Sequence, residues 1–269
     1  MRHHLTFLCE GARLAATLDD ASGTTGLLIV SGGNEVRAGA HRGQAMLAAR
    51  IAAQGFPVFR FDRRGIGDSE GDNAEFTGSA ADIAAAIAAF KQAAPHLTRI
   101  LAFGNCDAAT ALLLHEVPER PHALILSNPW TFDEETTAPS AEAIRARYWR
   151  KLKNPAELVR LFTGKVDLRK LGKGLAAASS AASPSVLANQ IAQTLRSYCD
   201  TGGTVHLLAA SRDRTGQAFL TAWRSDTFRN LQPNPAITLA ERDSAAHSYA
   251  DARDGDWLFD QIIAQLDRV

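Results

Sequence analysis

The sequence carries no surplus of charge of either sign, because its 29 lysines and arginines are balanced by 29 aspartates and glutamates. Without a net field there is nothing to recruit a nucleic acid or a membrane surface, so neither is expected as a partner. Long apolar runs are missing too: no stretch approaches the roughly 20 apolar residues that cross a bilayer. The opening MRHHLTFLCEGARLAATLDD has no uninterrupted apolar core and no small-residue cleavage site. A cytoplasmic protein without a membrane span is therefore expected. Cysteine is scarce, and Cys9, Cys106 and Cys199 lie far apart with no CxxC and no His/Cys cluster. That spacing argues against a disulfide framework and against a structural metal site. There are no internal repeats.

What is present is a strand and helix alternation in a chain of 269 residues, enough for one large α/β domain. LTFLCE and ARLAATLD read as an opening hairpin, and TTGLLIV is the apolar, β-branched run of a buried strand. GQAMLAARIAAQG has helical spacing closed by Gly55, and FPVFRFD is a strand whose Pro57 fits only its beginning. SAADIAAAIAAFKQAAP reads as a helix with Ser79 as N-cap and Asp82 at the third helical position. TRILAFGN, HALILSNPW, GTVHLLAASRD and PAITLAERD continue as strands separated by helical segments. Such alternation implies a mostly parallel central sheet with helices on both faces.

The rhythm breaks between residues 131 and 200. That segment is helical and irregular, clusters lysine and arginine in RARYWRKLKNPAELVRLFTGKVDLRKLGK, and contains the low-complexity AAASSAASPS. It reads as a cap inserted into a core of residues 1–130 and 201–269, over strand ends where open α/β sheets bind ligands. The basic cluster is either a solvated helical face or an attraction for an anionic substrate such as an acyl-CoA or an acylated sugar, with Tyr148 and Trp149 as apolar walls.

In FGNCDAAT a strand runs straight into a helix with Cys106 at the junction, the arrangement of a nucleophile elbow. The strained turn needs small neighbours, which Gly104 and Ala108 supply. Acid and base should follow in that chain order: Asp213 lies directly after the strand VHLLAAS, and His247 lies in the loop after the next strand. SGGN, after the LLIV strand, suits an oxyanion turn in which the N–H of Gly33 or Asn34 pairs with that of Asp107. Each residue also has an ordinary reading. Cys106 is a buried filler, His247 a hydrogen-bonded loop histidine, and Asp213 a helix cap with Asp243 and Asp226 as rivals for the acid. Cys9 and Cys199 have no such context and read as structural.

The blocks SGGNEVRAGAHRGQ, FRFDRRGIGDSEG and AFGNCDAATALLL resemble the α/β-hydrolase fold, and more narrowly the type one hydrolases associated with the exosortase A system. The resemblance implies a cysteine-centred hydrolase linked to exopolysaccharide and exosortase systems, needing no cofactor. A cysteine at this position is also similar to dienelactone hydrolase, which would make Cys106 the nucleophile, His247 the base and acid, and Asp213 the group orienting the imidazole. The same resemblance would turn Glu35 toward the resting thiol. His41 and Arg42 are candidates for facing the substrate, with His41 equally suited to capping the following helix. The expected activity is cleavage of a small-molecule ester or thioester through an acyl-enzyme. Acyl transfer from the same intermediate, and a non-catalytic binding protein on this fold, remain as alternatives.

Overall fold

A computed structural model of the chain describes residues 1–132 and 185–268. Tyr148 and Trp149, with all of the basic cluster, lie outside the described residues. The chain divides into one compact unit of residues 1–131 with 190–269, and another of residues 132–189.

The frame of the first unit is an eight-stranded sheet, made by β1 (Arg2–Cys9), β2 (Ala12–Asp19), β3 (Thr25–Val30), β4 (Val58–Phe61), β5 (Arg99–Asn105), β6 (Ala123–Ser127), β7 (Thr204–Ala210) and β8 (Ile237–Arg242). The spatial order is β1-β2-β4-β3-β5-β6-β7-β8. Glu10 and Gly11, at φ 49° and 86°, make the two-residue turn that folds β1 onto β2 antiparallel, since that turn needs positive φ at both places. β2 also runs antiparallel to β4, and all remaining pairs are parallel. Every residue of β3 and of β6 is buried, as strands covered on both faces must be.

Alternation sorts the strand side chains between two layers. Leu27, Ile29, Leu101, Phe103 and Ile125 pack with Leu47 and Ile51 of α1 (Gly43–Ala53) and with Leu258 and Ile262 of α6 (Ala252–Leu266). The opposite parity meets α2 (Ala80–Ala93) and α3 (Asp107–Leu114): a β-carbon on Gly26 would lie 2.6 Å from the Phe90 ring, and one on Gly104 would lie 2.8 Å from the Ala108 backbone. Glycine at 104 is thus what lets α3 start so close to β5. The helices α4 (Val186–Asp200) and α5 (Arg214–Trp223) complete the described elements.

Ser79 does hold the N-cap position of α2, but its side chain caps nothing and instead donates to the Phe76 carbonyl. Asp82 is equally drawn away from the helix end, accepting from the Arg64 N–H at 3.0 Å, from Arg64 Nε and from the Cys9 thiol at 3.3 Å. Partners distant in sequence outbid the local capping pattern there.

After β3 the chain places β4 on one side and β5 on the other, so strand order reverses between β3 and β5. Their carboxyl ends form the crevice where open α/β sheets take ligands. SGGN leaves β3 and GNC leaves β5 at that point.

Candidate active site

Cys106 sits at φ 63° and ψ −128°, outside the regions open to a residue with a side chain, and is half-buried. Such a backbone costs on the order of 1–3 kcal/mol and persists only when its surroundings hold it. Here they do: the Cys106 N–H donates to the Ser127 carbonyl at 2.9 Å, continuing the β5–β6 ladder. Its carbonyl accepts from the N–H groups of Trp130 at 3.2 Å and Thr110 at 3.4 Å. Cys106 is thereby fixed at the N-terminal end of α3.

The structure brings Cys106, Asp213 and His247 together from the ends of three strands. His247 Nδ1 lies 2.8 Å from Asp213 Oδ2, and the Cys106 thiol stands near enough to the imidazole to act on its pKa. The bond to Asp213, then the influence of Cys106, outweigh burial and raise the His247 pKa to about 10. Burial works against the Asp213 carboxylate, yet hydrogen bonds from His247 and from the N–H groups of Gly216 and Thr215 hold its pKa below the usual value. Asp213 serves both of its sequence readings at once. Its Oδ2 caps α5 through Thr215 and Gly216, each at 3.0 Å, and meets the imidazole. Neither rival shares that place, since Asp243 pairs with Arg212 and Asp226 with Arg229 on exposed surface.

Two buried or half-buried amides that the sequence reading passed over hold this assembly. Asn105 Nδ2 donates to the His247 carbonyl at 3.2 Å, and Asn128 Nδ2 donates to Asn105 Oδ1 at 3.0 Å. The Ala210 N–H donates to Asn128 Oδ1 at 2.8 Å, so one amide pair ties the ends of β5, β6 and β7 to the histidine loop. The available sequence signal was modest: Asn128 stands just after a strand in SNP and takes positive φ, which asparagine tolerates better than most residues.

The SGGN turn after β3 is gripped by side chains. The Gly33 N–H donates to Asp107 Oδ1 at 2.7 Å and is thereby engaged within the protein. Asp107, as the first residue of α3, has an N–H with no intrahelical acceptor. The DRRGIGDSEG block scaffolds the turn. Asp62 accepts from the backbone N–H and the guanidinium of Arg37 and from the Asp68 N–H, and Arg63 Nη2 donates to the Gly33 carbonyl.

Glu35 turns both oxygens to the start of α1, accepting from the Ala40 N–H and from Gln44 Nε2 at 2.9 Å, instead of facing the thiol. Arg42 occupies the N-cap of α1 in a left-handed conformation and makes no side-chain cap. His41 and Glu35 line a cavity of about 270 Å³ whose apolar wall is made by Met46, Leu47, Phe103 and Leu258. Cys106 and His247 do not line it themselves, but their chain neighbours Asn105 and Ser248 do. No group of three or more His, Cys, Asp or Glu residues able to hold a metal occurs among the described residues. Nor is any helix among them long and apolar enough to cross a membrane.

The sequence family described as serine aminopeptidase, S33, matches residues 26–205, about two thirds of the chain. The chain belongs to that family. No curated protein matches the sequence. Among solved structures, the chain is similar to the esterase Pf2001 of Pyrococcus furiosus, with a TM-score of 0.66 at 15% identity over 100% of this chain and 92% of that one. The mouse α/β hydrolase domain-containing protein 10 gives 0.59 at 16% identity over 99% of both chains. The esterase EaEST of Exiguobacterium antarcticum gives 0.59 at 13% identity, covering 98% of this chain and all of that one. These likenesses establish the α/β-hydrolase fold, and with the family they make the protein a hydrolase. The elbow residue in this member is cysteine.

Proposed function

We propose that the protein is a cysteine-dependent esterase or thioesterase working through an acyl-enzyme on Cys106. The observation that carries the reading is the thiol on a strained strand-to-helix turn, beside an imidazole that is itself held by a carboxylate. With its pKa raised to about 10, His247 holds the proton taken from the thiol as the sulfur attacks the substrate carbonyl, and the resulting oxyanion is met by the N–H groups of Asn34 and Asp107. Collapse breaks the bond to the leaving group, which takes the proton from His247 and departs as an alcohol or thiol. Water then enters, gives a proton to His247, and attacks the thioester. Release of the carboxylic acid restores the starting Cys106 and His247 pair. Asp213 keeps the imidazole in the tautomer and orientation that both halves need.

The cavity beside Asn105 and Ser248 fits a short apolar substituent, being slightly smaller than the roughly 300 Å³ at which small-molecule pockets usually begin. A cytoplasmic setting agrees with three unpaired thiols. The cap at residues 131–200, its basic cluster as a site for an anionic acyl-CoA or acylated sugar, and the exopolysaccharide link rest on sequence alone. Intact-mass analysis after brief mixing with aryl esters and acyl-CoA thioesters tests the reading. An acyl adduct in the wild type that is missing in Cys106→Ala supports it. An adduct retained in Cys106→Ala, or none with any substrate while the protein stays folded, removes it.

A further inference from the structure

The oxyanion turn is held more firmly, and by more expensive means, than a tight turn requires. Asp107 Oδ1 takes the Gly33 N–H at 2.7 Å, and Arg63 Nη2 takes the carbonyl of the same residue. The two side chains also face one another, with Arg63 Nη2 4.0 Å from Asp107 Oδ2. One glycine is therefore clasped at both its peptide groups by an ion pair. The fit is close: a β-carbon on Gly32 would lie 2.5 Å from Asp107 Oδ1 and 2.7 Å from the Asn105 carbonyl. Glycine at 32 lets the turn press onto the carboxylate.

Stability alone does not account for this arrangement. The Arg63 side chain is only 4% exposed, and its Nη1 is buried with no hydrogen-bond partner among the described residues. A buried charged donor left unpaired is costly, so it calls for a reason other than packing. Geometry supplies one. The Gly33 carbonyl and the Asn34 N–H belong to one planar trans peptide and point in opposite directions. Drawing the carbonyl to Arg63 aims the Asn34 N–H the other way. Meanwhile the bond to Asp107 removes the Gly33 N–H from use and fastens the turn to the first residue of α3, whose own N–H is the second donor. Asp107 would by itself set a negative charge beside a developing oxyanion, and the facing guanidinium offsets that charge.

We propose that Arg63 and Asp107 are positioning residues which orient the Gly33–Asn34 peptide, so that the N–H groups of Asn34 and Asp107 converge on the oxyanion. The proposal rests on the ester-cleavage reading and concerns only its oxyanion step.

Two reactions at the same sulfur isolate that step. Acylation by a p-nitrophenyl ester passes through an oxyanion. Alkylation by iodoacetamide forms a carbon–sulfur bond as iodide leaves and develops no oxyanion. The ratio of the two rates therefore reads oxyanion stabilisation, independently of how much of the thiol is ionised. In Asp107→Ala the ratio is expected to fall about 100-fold, the low end of what losing one oxyanion donor costs. Asp107→Asn keeps an acceptor oxygen for the Gly33 N–H and should recover to within about tenfold of wild type. Arg63→Lys, which cannot reproduce the guanidinium geometry, should lower the ratio while leaving alkylation intact. Acylation and alkylation falling together would mean that the elbow itself had shifted and would overturn the proposal. So would an unchanged ratio in Asp107→Ala with the wild type acylating normally. A wild type that alkylates but accepts no ester would instead remove the ester-cleavage reading, and this inference with it.

Discussion

Cys9 and Cys106 place the same side chain in two settings, and the partner differs more than the burial. At the end of β1, Cys9 is 3% exposed and donates its thiol proton to Asp82 Oδ1. Burial first, and then the hydrogen bond and the charge of Asp82, push its pKa up to about 11. At the end of β5, Cys106 stands beside an imidazole whose pKa is raised to about 10, and a second carboxylate stands behind that imidazole. A carboxylate touching the thiol directly keeps the proton on sulfur, whereas a carboxylate acting through histidine gives the proton somewhere to go. On the proposed reading, an acid's position in the hydrogen-bond chain, more than its proximity, decides whether a cysteine is inert.

The comparison breaks most sharply by deleting each thiol. Cys106→Ala is expected to abolish the acyl adduct, while Cys9→Ala should leave turnover within about twofold and cost about 1 kcal/mol of stability, the usual size of a point change. Loss of turnover in Cys9→Ala would undo the distinction. Next in size is the histidine. His247→Gln should slow acylation about 1,000-fold, within the range for a general base. Asp213→Asn separates the two duties of that residue. Asparagine caps a helix about as well as aspartate, so α5 should keep its cap and the variant should stay folded at the assay temperature despite losing the ion pair, yet acylation should fall about 100-fold or more because the imidazole loses its charged partner. A drop in melting temperature that accounts for the lost activity would return Asp213 to a purely structural role.

Selective labelling sharpens the contrast with pH. With a pKa of about 11, Cys9 should resist iodoacetamide at pH 7–8, and burial likewise pushes up the Cys199 thiol. Cys106 should therefore be alkylated first, with Cys9 following only as pH approaches 11. His247 titrates in the same alkaline region with a definite sign. Its folded pKa of about 10 lies above its ordinary 6.5, so the stabilisation from the charged imidazole is complete below about 6.5 and is lost as pH rises through about 10. The stability difference between wild type and His247→Gln should narrow across that window; a widening would contradict the pairing.

The same contrast between near and distant partners explains what was legible in the sequence. All eight strands could be read, because buried runs such as TTGLLIV and HALILSN are apolar and end at turn residues. The order Cys106, Asp213, His247 was readable because each follows a strand, and parallel strands in one sheet bring their carboxyl ends together. Side-chain engagement was not. The Gly33 N–H is taken by a carboxylate 74 residues away, and Asp82 leaves its helix end for Arg64 and Cys9. Asn105 and Asn128 acquire their role only when the ends of β5 and β6 lie side by side. Periodicity reports which face of an element is buried, and it carries nothing about which polar group across a crevice will claim a given N–H.

The smallest expected effect concerns the cavity near the elbow, where the contrast becomes one between reacting atoms and the space beside them. Leu258 lines that cavity from α6 and lies outside the Cys106, His247 and Asp213 constellation. Leu258→Phe should therefore spare alkylation of Cys106 while reducing turnover of longer acyl chains relative to acetyl by about tenfold, the scale on which a hydrophobic pocket discriminates a methylene or two. A chain-length series of p-nitrophenyl esters measures it. An unchanged profile would place the acyl group elsewhere and leave the cavity without a part in substrate selection.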